Sequence, residues 1–207
     1  MPIGDLTFRP LAPADFPQLA RWLATPHVAA WWRDPADLPA VADRYGPSVD
    51  GTDPTRLFVI EEDGRPVGFI QCYRHADEPD WDRAVGIPAA AGIDYLIGEP
   101  DRVGYGLGSR AIRVFAATVF DRYPDVSVVV AVPQAANEPS RRALERAGFR
   151  LVDVRDVESD DPGDAGPSAI YALERTGDTG GVHRPSAPAH GPIDSSGRTE
   201  PDPRRGT

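Results

Sequence analysis

The sequence predicts an α/β domain in which a mixed sheet of about seven strands lies between helices. Three observations lead to this prediction. Short apolar runs of strand length recur along the chain, amphipathic helical patterns separate several of them, and an Asp-Gly turn signal joins one pair. The predicted order of elements is β-α-α-β-β-β-α-β-α-β-β, and we expect one domain over residues 1–175.

The first half of the chain predicts a strand, two helices and a hairpin. Leu6–Arg9 alternates weakly, as a strand does, and Asp15–Leu23 carries apolar residues at helical spacing. Asp34-Pro35 has the form of an N-cap followed by proline, which predicts a short helix that ends before Tyr45-Gly46-Pro47. Asp63-Gly64 between two apolar runs predicts an antiparallel hairpin. Its strands are residues 57–60 and 67–73.

The second half predicts alternating strands and helices. His75–Pro88 is polar and contains two prolines, which predicts a loop. Ile93–Ile97 and the valine-rich Val126–Val132 predict central strands. Periodic apolar residues predict helices over Ser109–Phe120 and Asn137–Ala147. The last two strands are expected at residues 149–157 and 169–174, joined across residues 160–166.

The composition is that of a globular protein and argues against several function classes. Of the 207 residues, 41% are hydrophobic and 26% are charged, and the formal net charge is −10. This acidity argues against a nucleic-acid partner and favours a cationic small molecule. One cysteine and four histidines give no disulfide framework and no metal-ligand cluster. We therefore expect no metal cofactor.

The chain lacks the sequence features of membrane insertion and export. No apolar run approaches the roughly 18–20 residues of a membrane helix, and residues 1–10 lack the basic start and apolar stretch of a signal peptide. We expect a cytoplasmic protein without a membrane partner, with monomer and homodimer both open. Residues 176–207 contain only Val182 and Ile193 as large apolar residues among many glycines and prolines, which predicts a disordered tail.

Three glycines, Gly104, Gly106 and Gly108, lie between a predicted strand and a predicted helix. Main-chain N–H groups converge at such a helix start, and glycine has no side chain to block a ligand from reaching them. The helix dipole favours a phosphate group there. A tight turn that needs glycine for positive φ gives the same pattern, so both interpretations stay open. The segment has no Gly-Lys-Ser/Thr ending of a P-loop and does not open the chain as a Rossmann turn does.

The motif Val103-Gly104-Tyr105-Gly106-Leu107-Gly108-Ser109, followed by Asn137-x-x-Ser140 and Glu145-Arg146-Ala147-Gly148-Phe149, resembles the acetyl-CoA-binding half of the GNAT N-acetyltransferases. The resemblance implies a mostly antiparallel GNAT sheet with a V-shaped split between two central parallel strands, here residues 93–97 and 126–132. It implies that acetyl-CoA, the acyl donor, places its pyrophosphate at the glycine turn and its pantetheine in the split. The residues expected to bind it are Tyr95, Leu96, Ile97, Val103, Gly104, Tyr105, Gly106, Leu107, Gly108, Ser109, Asn137 and Ser140.

A second set of motifs extends the resemblance to about residues 6–173. It consists of Trp22-Leu23, His27-Val28, Trp31-Trp32, Tyr45-x-Pro47-Ser48-Val49, Gln71-x-Tyr73 and Gly92-Ile93-Asp94-x-Leu96. These motifs resemble the aminoglycoside 6′-N-acetyltransferases, which implies acetylation of the 6′-amine of an aminoglycoside and antibiotic resistance. Aromatic faces attract sugars and cations, so we expect the acceptor to contact a mainly aromatic set of residues. Packing in the hydrophobic core is the alternative explanation for the aromatic members of this set. That set is Trp31, Trp32, Tyr45, Gln71, Tyr73, Trp81 and Asp94.

Two other functions remain open on the sequence. Siderophore-pathway lysine N6-acyltransferases of the mycobactin type share the paired tryptophans and commonly carry histidine where Asp94 stands. A non-catalytic CoA-binding module is the third alternative.

Asp94 is the predicted catalytic carboxylate because it interrupts an otherwise apolar strand. We expect it to anchor the acceptor ammonium ion and to accept a proton, either with a raised pKa or through water. The alternative is a carboxylate satisfied by a neighbouring arginine or backbone N–H.

Three positions depart from the family pattern. Leu144 stands where many GNAT enzymes have a tyrosine that protonates the leaving thiolate, so Tyr171, or solvent, is the expected replacement. Val103 stands where an arginine or glutamine commonly contacts phosphate. Val132 stands where the aminoglycoside enzymes tend to have an acidic residue that holds the acceptor.

Overall fold

Seven strands form the centre of the computed structural model, which describes residues 4–159 and 166–176. They are β1 (Leu6–Pro10), β2 (Arg56–Glu62), β3 (Arg65–Arg74), β4 (Ala90–Ile97), β5 (Val128–Ala131), β6 (Arg150–Asp156) and β7 (Pro167–Glu174). The sheet order is β1-β2-β3-β4-β5-β7-β6. Every neighbouring pair is antiparallel except β4 and β5, which run parallel. The predicted mixed, mostly antiparallel sheet is therefore confirmed.

The α-helices of the described residues cover both faces of this sheet. They are α1 (Phe16–Leu23), α2 (Pro26–Ala29), α3 (Leu38–Asp50), α4 (Pro79–Val85), α5 (Leu107–Arg122) and α6 (Glu138–Ala147). Phe69 and Ile70 of β3 are both fully buried, but Phe69 packs with α1 and α3, and Ile70 packs with α5 and α6. Successive strand residues point to opposite faces, so these two helix pairs lie on opposite sides.

The parallel pair β4 and β5 separates after three residues. Ala90, Ala91 and Gly92 pair with Val128, Val129 and Val130. Beyond Gly92, β4 continues to Ile97 and remains paired with β3, whereas β5 ends at Ala131. The strands therefore diverge at Ile93, and the V-shaped split lies where the sequence predicted it.

The helix predicted to begin at Asp34-Pro35 begins later and ends later. The cap is Asp37, whose Oδ1 accepts a hydrogen bond from the Ala40 N–H at 3.1 Å. Helix α3 then continues through Pro47 to Asp50. Burial of Val41 and Tyr45 on one helix face outweighs the single backbone hydrogen bond that Pro47 cannot make.

The loop predicted over residues 75–88 is also corrected, because it contains α4. Pro79 lies in the first turn, where a missing N–H costs nothing, and the helix ends at Gly86 with φ +71°. Val85 is buried and anchors this short helix against β5 and β7. The short helix α2 was not predicted either, and β5 is shorter than the predicted Val126–Val132.

Parts of the predicted organisation lie outside the described residues. These are the connection over residues 160–165 and the predicted tail from residue 177 onward. The domain boundary at Arg175 stays a prediction. Within the described ranges, no helix combines the length and the apolar character that crossing a bilayer requires.

Two glycines of α3 allow a matched test of its C-terminal end. Gly51 has φ +80° and Gly46 lies inside the helix, and neither has an atom within 4 Å of an added Cβ. Gly51→Ala is expected to lower the free energy of unfolding by about 1 kcal/mol, because side chains disfavour positive φ. Gly46→Ala is expected to change it by less than about 0.5 kcal/mol, because the gain in helix propensity is opposed by crowding between the new Cβ and the ring of Pro47. Urea unfolding measures both, and equal effects would contradict the assignment of Gly51 as the helix end.

Candidate active site

A cleft of about 880 Å³ opens where β4 and β5 diverge. It is lined by β4 residues 93–97, the glycine turn, the first turns of α6, and side chains from α2, α3 and α4. Most of the predicted site residues line it, although they come from segments that are far apart in the chain. Those predicted residues are Trp31, Trp32, Tyr45, Gln71, Tyr73, Trp81, Asp94, Tyr95, Leu96, Ile97, Val103, Gly104, Gly106, Gly108, Ser109, Asn137 and Ser140.

The glycine turn combines the two interpretations that its sequence left open. Gly104 and Gly106 have φ of +89° and +82°, which side chains disfavour. Gly106 is also the N-cap of α5, so the first amides of that helix lack helical acceptors. An added Cβ would meet nothing within 4 Å at Gly104 and only the Ser109 hydroxyl at 3.9 Å at Gly106. The turn needs glycine for its backbone, and it also leaves main-chain amides open to an anion.

Arginine side chains surround the same end of the cleft. Arg102, Arg142 and Arg146 line it beside the turn. Arg102 contacts the Glu62 carboxylate at 3.1 Å, and its buried Nε has no hydrogen-bond partner in the described part of the chain. Arg102 therefore places a cation next to Val103, where the family's basic or amide side chain is missing. Sequence analysis missed it, although it directly precedes Val103.

Asp94 lies in the split and is held from the neighbouring strand. It is directly opposite Gln71 of β3, whose Nε2 donates to Asp94 Oδ2 at 2.9 Å. Tyr73 is opposite Gly92 on the same face, and an added Cβ at Gly92 would lie 2.3 Å from the Tyr73 ring. The absence of a side chain at Gly92 thus lets Tyr73 cover β4 beside Asp94.

The aromatic side of the cleft is organised by Asp34. Its Oδ2 accepts hydrogen bonds from the Tyr45 hydroxyl at 2.6 Å and from Trp32 Nε1 at 3.2 Å. Both rings stand edge-on to Phe69, with centroid distances of 5.8 Å for Trp32 and 5.6 Å for Tyr45. Burial, followed by the nearby Asp34 charge, raises the pKa of Tyr45 well above its usual value. Trp32 and Tyr45 therefore form a fixed wall whose polar atoms point to Asp34.

Three acidic residues that the sequence did not predict also line the cleft: Asp34, Asp53 and Glu78. Although burial opposes it, hydrogen bonds from Thr55 and Ser48 hold the pKa of Asp53 below its usual value. Asp34 carried only the signal of a helix cap, and Glu78 was one of several acidic residues in a predicted loop. Their positions at the cleft depend on α3 and α4, which the sequence placed wrongly or missed.

Trp81 of α4 lines the cleft, although its indole N–H lies below the accessible surface. Its Nε1 is buried and has no hydrogen-bond partner among the described residues. A buried donor without an acceptor costs free energy, so the packing of the Trp81 ring against the core next to α4 must outweigh that cost.

A hydroxyl group of helix α6 and one of strand β4 form a pair at the cleft. Asn137 caps the helix by accepting a hydrogen bond from the Ser140 N–H at 3.2 Å. The Tyr95 hydroxyl lies 2.7 Å from Ser140 Oγ and 3.3 Å from the Ser140 carbonyl oxygen. Burial is the main cause that raises the pKa of Tyr95 far above its usual value, so the phenol stays protonated.

Three predicted site residues are not among the described residues that line the cleft: Tyr105, Leu107 and Tyr171. Tyr105 projects into solvent with 84% of its surface exposed, and Leu107 is part of the hydrophobic core. Tyr171 is fully buried in β7, where its hydroxyl donates to Glu145 at 2.7 Å and accepts from Arg141 at 3.3 Å. The structure therefore gives no support to Tyr171 as a proton donor, because its hydroxyl is engaged outside the cleft.

Sequence comparisons relate the chain to known proteins. A family model described as an acetyltransferase (GNAT) domain matches residues 12–157. Aminoglycoside N(6′)-acetyltransferase type 1 of Klebsiella pneumoniae is 29% identical over 149 residues, which cover 70% of this chain and 74% of the relative. The lysine N-acyltransferase MbtK of Mycobacterium tuberculosis (strain ATCC 25618 / H37Rv) is 26% identical over 162 residues, which cover 77% of this chain and 73% of the relative.

Solved structures give the same relationship. The aminoglycoside acetyltransferase AAC(6′)-Ib in complex with coenzyme A has a TM-score of 0.70 and 26% identity, covering 83% of this chain and 95% of that chain. The same enzyme in complex with paromomycin and acetyl-CoA has a TM-score of 0.71 and 26% identity, covering 83% and 94%.

The glycine turn predicts a measurable loss of coenzyme A binding in a backbone variant. Gly106→Ala is expected to weaken binding by about tenfold, because φ +82° disfavours a side chain and the helix start shifts. Isothermal titration calorimetry with coenzyme A measures the effect, and Gly46→Ala in α3 serves as the control. Unchanged affinity in Gly106→Ala would contradict an anion site built from these amides.

Proposed function

The chain belongs to the GNAT family of acetyltransferases, and from that premise we propose that it acetylates the 6′-amine of an aminoglycoside. Family membership makes it an acetyl-CoA-dependent N-acetyltransferase. The acceptor, the roles of individual residues and a contribution to antibiotic resistance in the cytoplasm belong to the proposal.

One observation carries the choice of acceptor, namely the acidic character of the cleft away from the glycine turn. Its acidic members are Asp34, Asp53, Glu78 and Asp94. Arg33 and Arg44 line this part as well, and Arg44 lies 3.6 Å from Asp34. Four carboxylates against two guanidinium groups leave an excess of negative charge. Such a cleft attracts an acceptor that carries several ammonium groups.

The aromatic residues fit a sugar-based acceptor. Trp31, Trp32 and Tyr73 present ring faces or edges to the cleft, and such surfaces bind the apolar faces of sugar rings. Trp81 adds a further aromatic ring at the cleft. Polyamine chains have no ring face to place against these side chains, so an amino sugar accounts for more of the lining.

Asp94 is the residue we assign to the reacting amine. An ammonium ion is not nucleophilic, so the site must first bind it and then remove a proton. Gln71 holds Asp94 Oδ2 at 2.9 Å, which fixes the carboxylate at the split. The neutral amine then attacks the thioester carbonyl carbon, and collapse of the tetrahedral intermediate breaks the C–S bond. The proton lost by the nitrogen passes to Asp94, directly or through water, while the sulfur departs as a thiolate.

A lysine N6-acyltransferase is the second candidate. Arg33 and Arg44 favour it, because guanidinium groups in the acceptor part of the cleft suit the carboxylate of an amino acid. Asp94 argues against it, since those enzymes commonly have histidine at this position.

A thiol-release assay with a matched pair of acceptors tests the proposal. Neomycin and paromomycin differ only in an amine against a hydroxyl at the 6′ position. We expect thiol release from acetyl-CoA with neomycin and a rate at least about 100-fold lower with paromomycin, because the hydroxyl is a poor nucleophile at neutral pH. Equal rates would place the reacting amine elsewhere on the acceptor. Turnover of lysine derivatives with long-chain acyl-CoA, without turnover of neomycin, would favour the second candidate.

Replacement of Asp94 separates binding from chemistry. Asp94→Ala is expected to lower kcat by about 100-fold or more, the usual effect of removing a general base, while coenzyme A affinity stays within about twofold. Steady-state kinetics and calorimetry measure the two quantities. Asp80→Ala is the control, because that side chain is 96% exposed on α4. Near-normal kcat in Asp94→Ala would remove Asp94 from the mechanism.

A further inference from the structure

The leaving thiolate has no partner at the position where many GNAT enzymes supply one. Leu144 occupies that position, is fully buried, and has no hydrogen-bonding group. Tyr171, the replacement expected from the sequence, points into a buried contact with Glu145 and Arg141. If acyl transfer proceeds as described above, another donor must stabilise the sulfur as the C–S bond breaks.

Ser140 stands on the same face of α6 as Leu144, one helical turn nearer the N-terminus. Ser140 lines the cleft, and its hydroxyl lies 2.7 Å from the hydroxyl of Tyr95. The Asn137 side chain accepts a hydrogen bond from the Ser140 N–H, which fixes the Ser140 backbone in the first turn of α6. A hydroxyl group is therefore present on the helix that carries position 144, one turn before that position.

Tyr95 follows Asp94 directly in β4, and successive strand residues point to opposite faces of a sheet. Asp94 faces Gln71 on the side of α1 and α3, whereas Tyr95 reaches α6 on the other side. The split between β4 and β5 lies between these two sides. Strand β4 thus carries the Asp94 carboxylate, which we assign to the amine, and, one residue later, the Tyr95 hydroxyl, which is directed to α6 on the other side.

We propose that Ser140 donates a hydrogen bond to the sulfur of the leaving coenzyme A thiolate, and that Tyr95 positions the Ser140 hydroxyl for this purpose. The inference rests on the proposed acyl transfer. When the C–S bond breaks, its electron pair goes to sulfur, and the Ser140 O–H stabilises the charge. The Tyr95 O–H donates to Ser140 Oγ, which directs the serine proton toward the cleft. The thiolate takes its proton afterwards from solvent, so no tyrosinate or alkoxide forms.

The electrostatic surroundings agree with this division of roles. The charge of Asp94, the preceding residue, and the phenol of Tyr171 both oppose a negative charge on the Tyr95 oxygen. Its phenol is therefore suited to donate a hydrogen bond and not to give up its proton. Arg142 and Arg146 of α6 and the N-terminal end of that helix favour a negative charge in the cleft.

The titration of bound coenzyme A tests the inference without any acceptor. The thiolate of coenzyme A absorbs in the ultraviolet, and the complex with desulfo-coenzyme A provides the blank for tyrosine. Cys72 is the chain's single cysteine, and burial raises its pKa to about 11, so it adds no thiolate signal near neutral pH. We expect the bound thiol of the wild-type protein to titrate about one pH unit below the free coenzyme, as a hydrogen bond to a charged group requires.

Four variants separate Ser140 from other causes. Ser140→Ala and Tyr95→Phe are expected to return the thiol pKa most of the way to that of free coenzyme A. Ser140→Thr, which keeps a hydroxyl, is expected to retain the lowered pKa. Tyr123→Phe removes a partly buried hydroxyl that does not line the cleft and should titrate as the wild type does. A bound thiol that titrates alike in the wild type and in Ser140→Ala would overturn the inference, as would absence of coenzyme A binding.

Kinetics give a second readout. In Ser140→Ala, kcat with acetyl-CoA is expected to fall about 10- to 100-fold with little change in KM, because the hydrogen bond forms only as the sulfur becomes charged. An unchanged kcat would overturn the inference while leaving the proposed function intact. Failure of the proposed function gives a different result: the wild-type protein then releases no thiol with any amine tested.

Discussion

The separation of β4 from β5 is the constraint on which the site depends. The two strands share hydrogen bonds over three residue pairs only, and β4 continues alone on that side from Ile93 to Ile97. Main-chain amides and carbonyls inside a sheet are costly to leave unpaired. An extended ligand with amide groups, such as the pantetheine expected here, would supply the pairing that a strand otherwise gives. The same gap exposes Asp94 to the cleft.

The two sides of this split differ in charge and in chemistry. Arginines and open amides surround the glycine turn, whereas carboxylates and aromatic rings line the part of the cleft nearest α3 and α4. Asp94 and Tyr95 connect the two sides because neighbouring residues of a strand face opposite ways. A thioester that enters from the basic side would meet an amine held on the acidic side. The separation of the two proposed roles would thus follow from the geometry of one strand.

Asp34 was correctly predicted to accept hydrogen bonds, but its donors are different from those of a helix cap. Before proline, an aspartate is a good helix cap, and the sequence predicts one there. In the structure Asp37 takes the cap, and Asp34 accepts hydrogen bonds from Trp32 and Tyr45. Trp32 and Tyr45 come together only after α3 packs on Phe69. Asp34 therefore belongs to a polar cluster formed by tertiary packing and does not cap the helix.

The sequence by itself determined whatever depends on short-range signals: the Asp63-Gly64 hairpin, the glycine turn before α5, the Asn137 cap, and Asp94 within an apolar strand. These features need only nearby residues and the propensities of the backbone. Only the tertiary structure decided that Glu78, Asp53 and Arg102 line the cleft and that Tyr171 does not. Such placements depend on which helix covers which strand, and that choice balances burial over segments tens of residues apart, which no local pattern encodes.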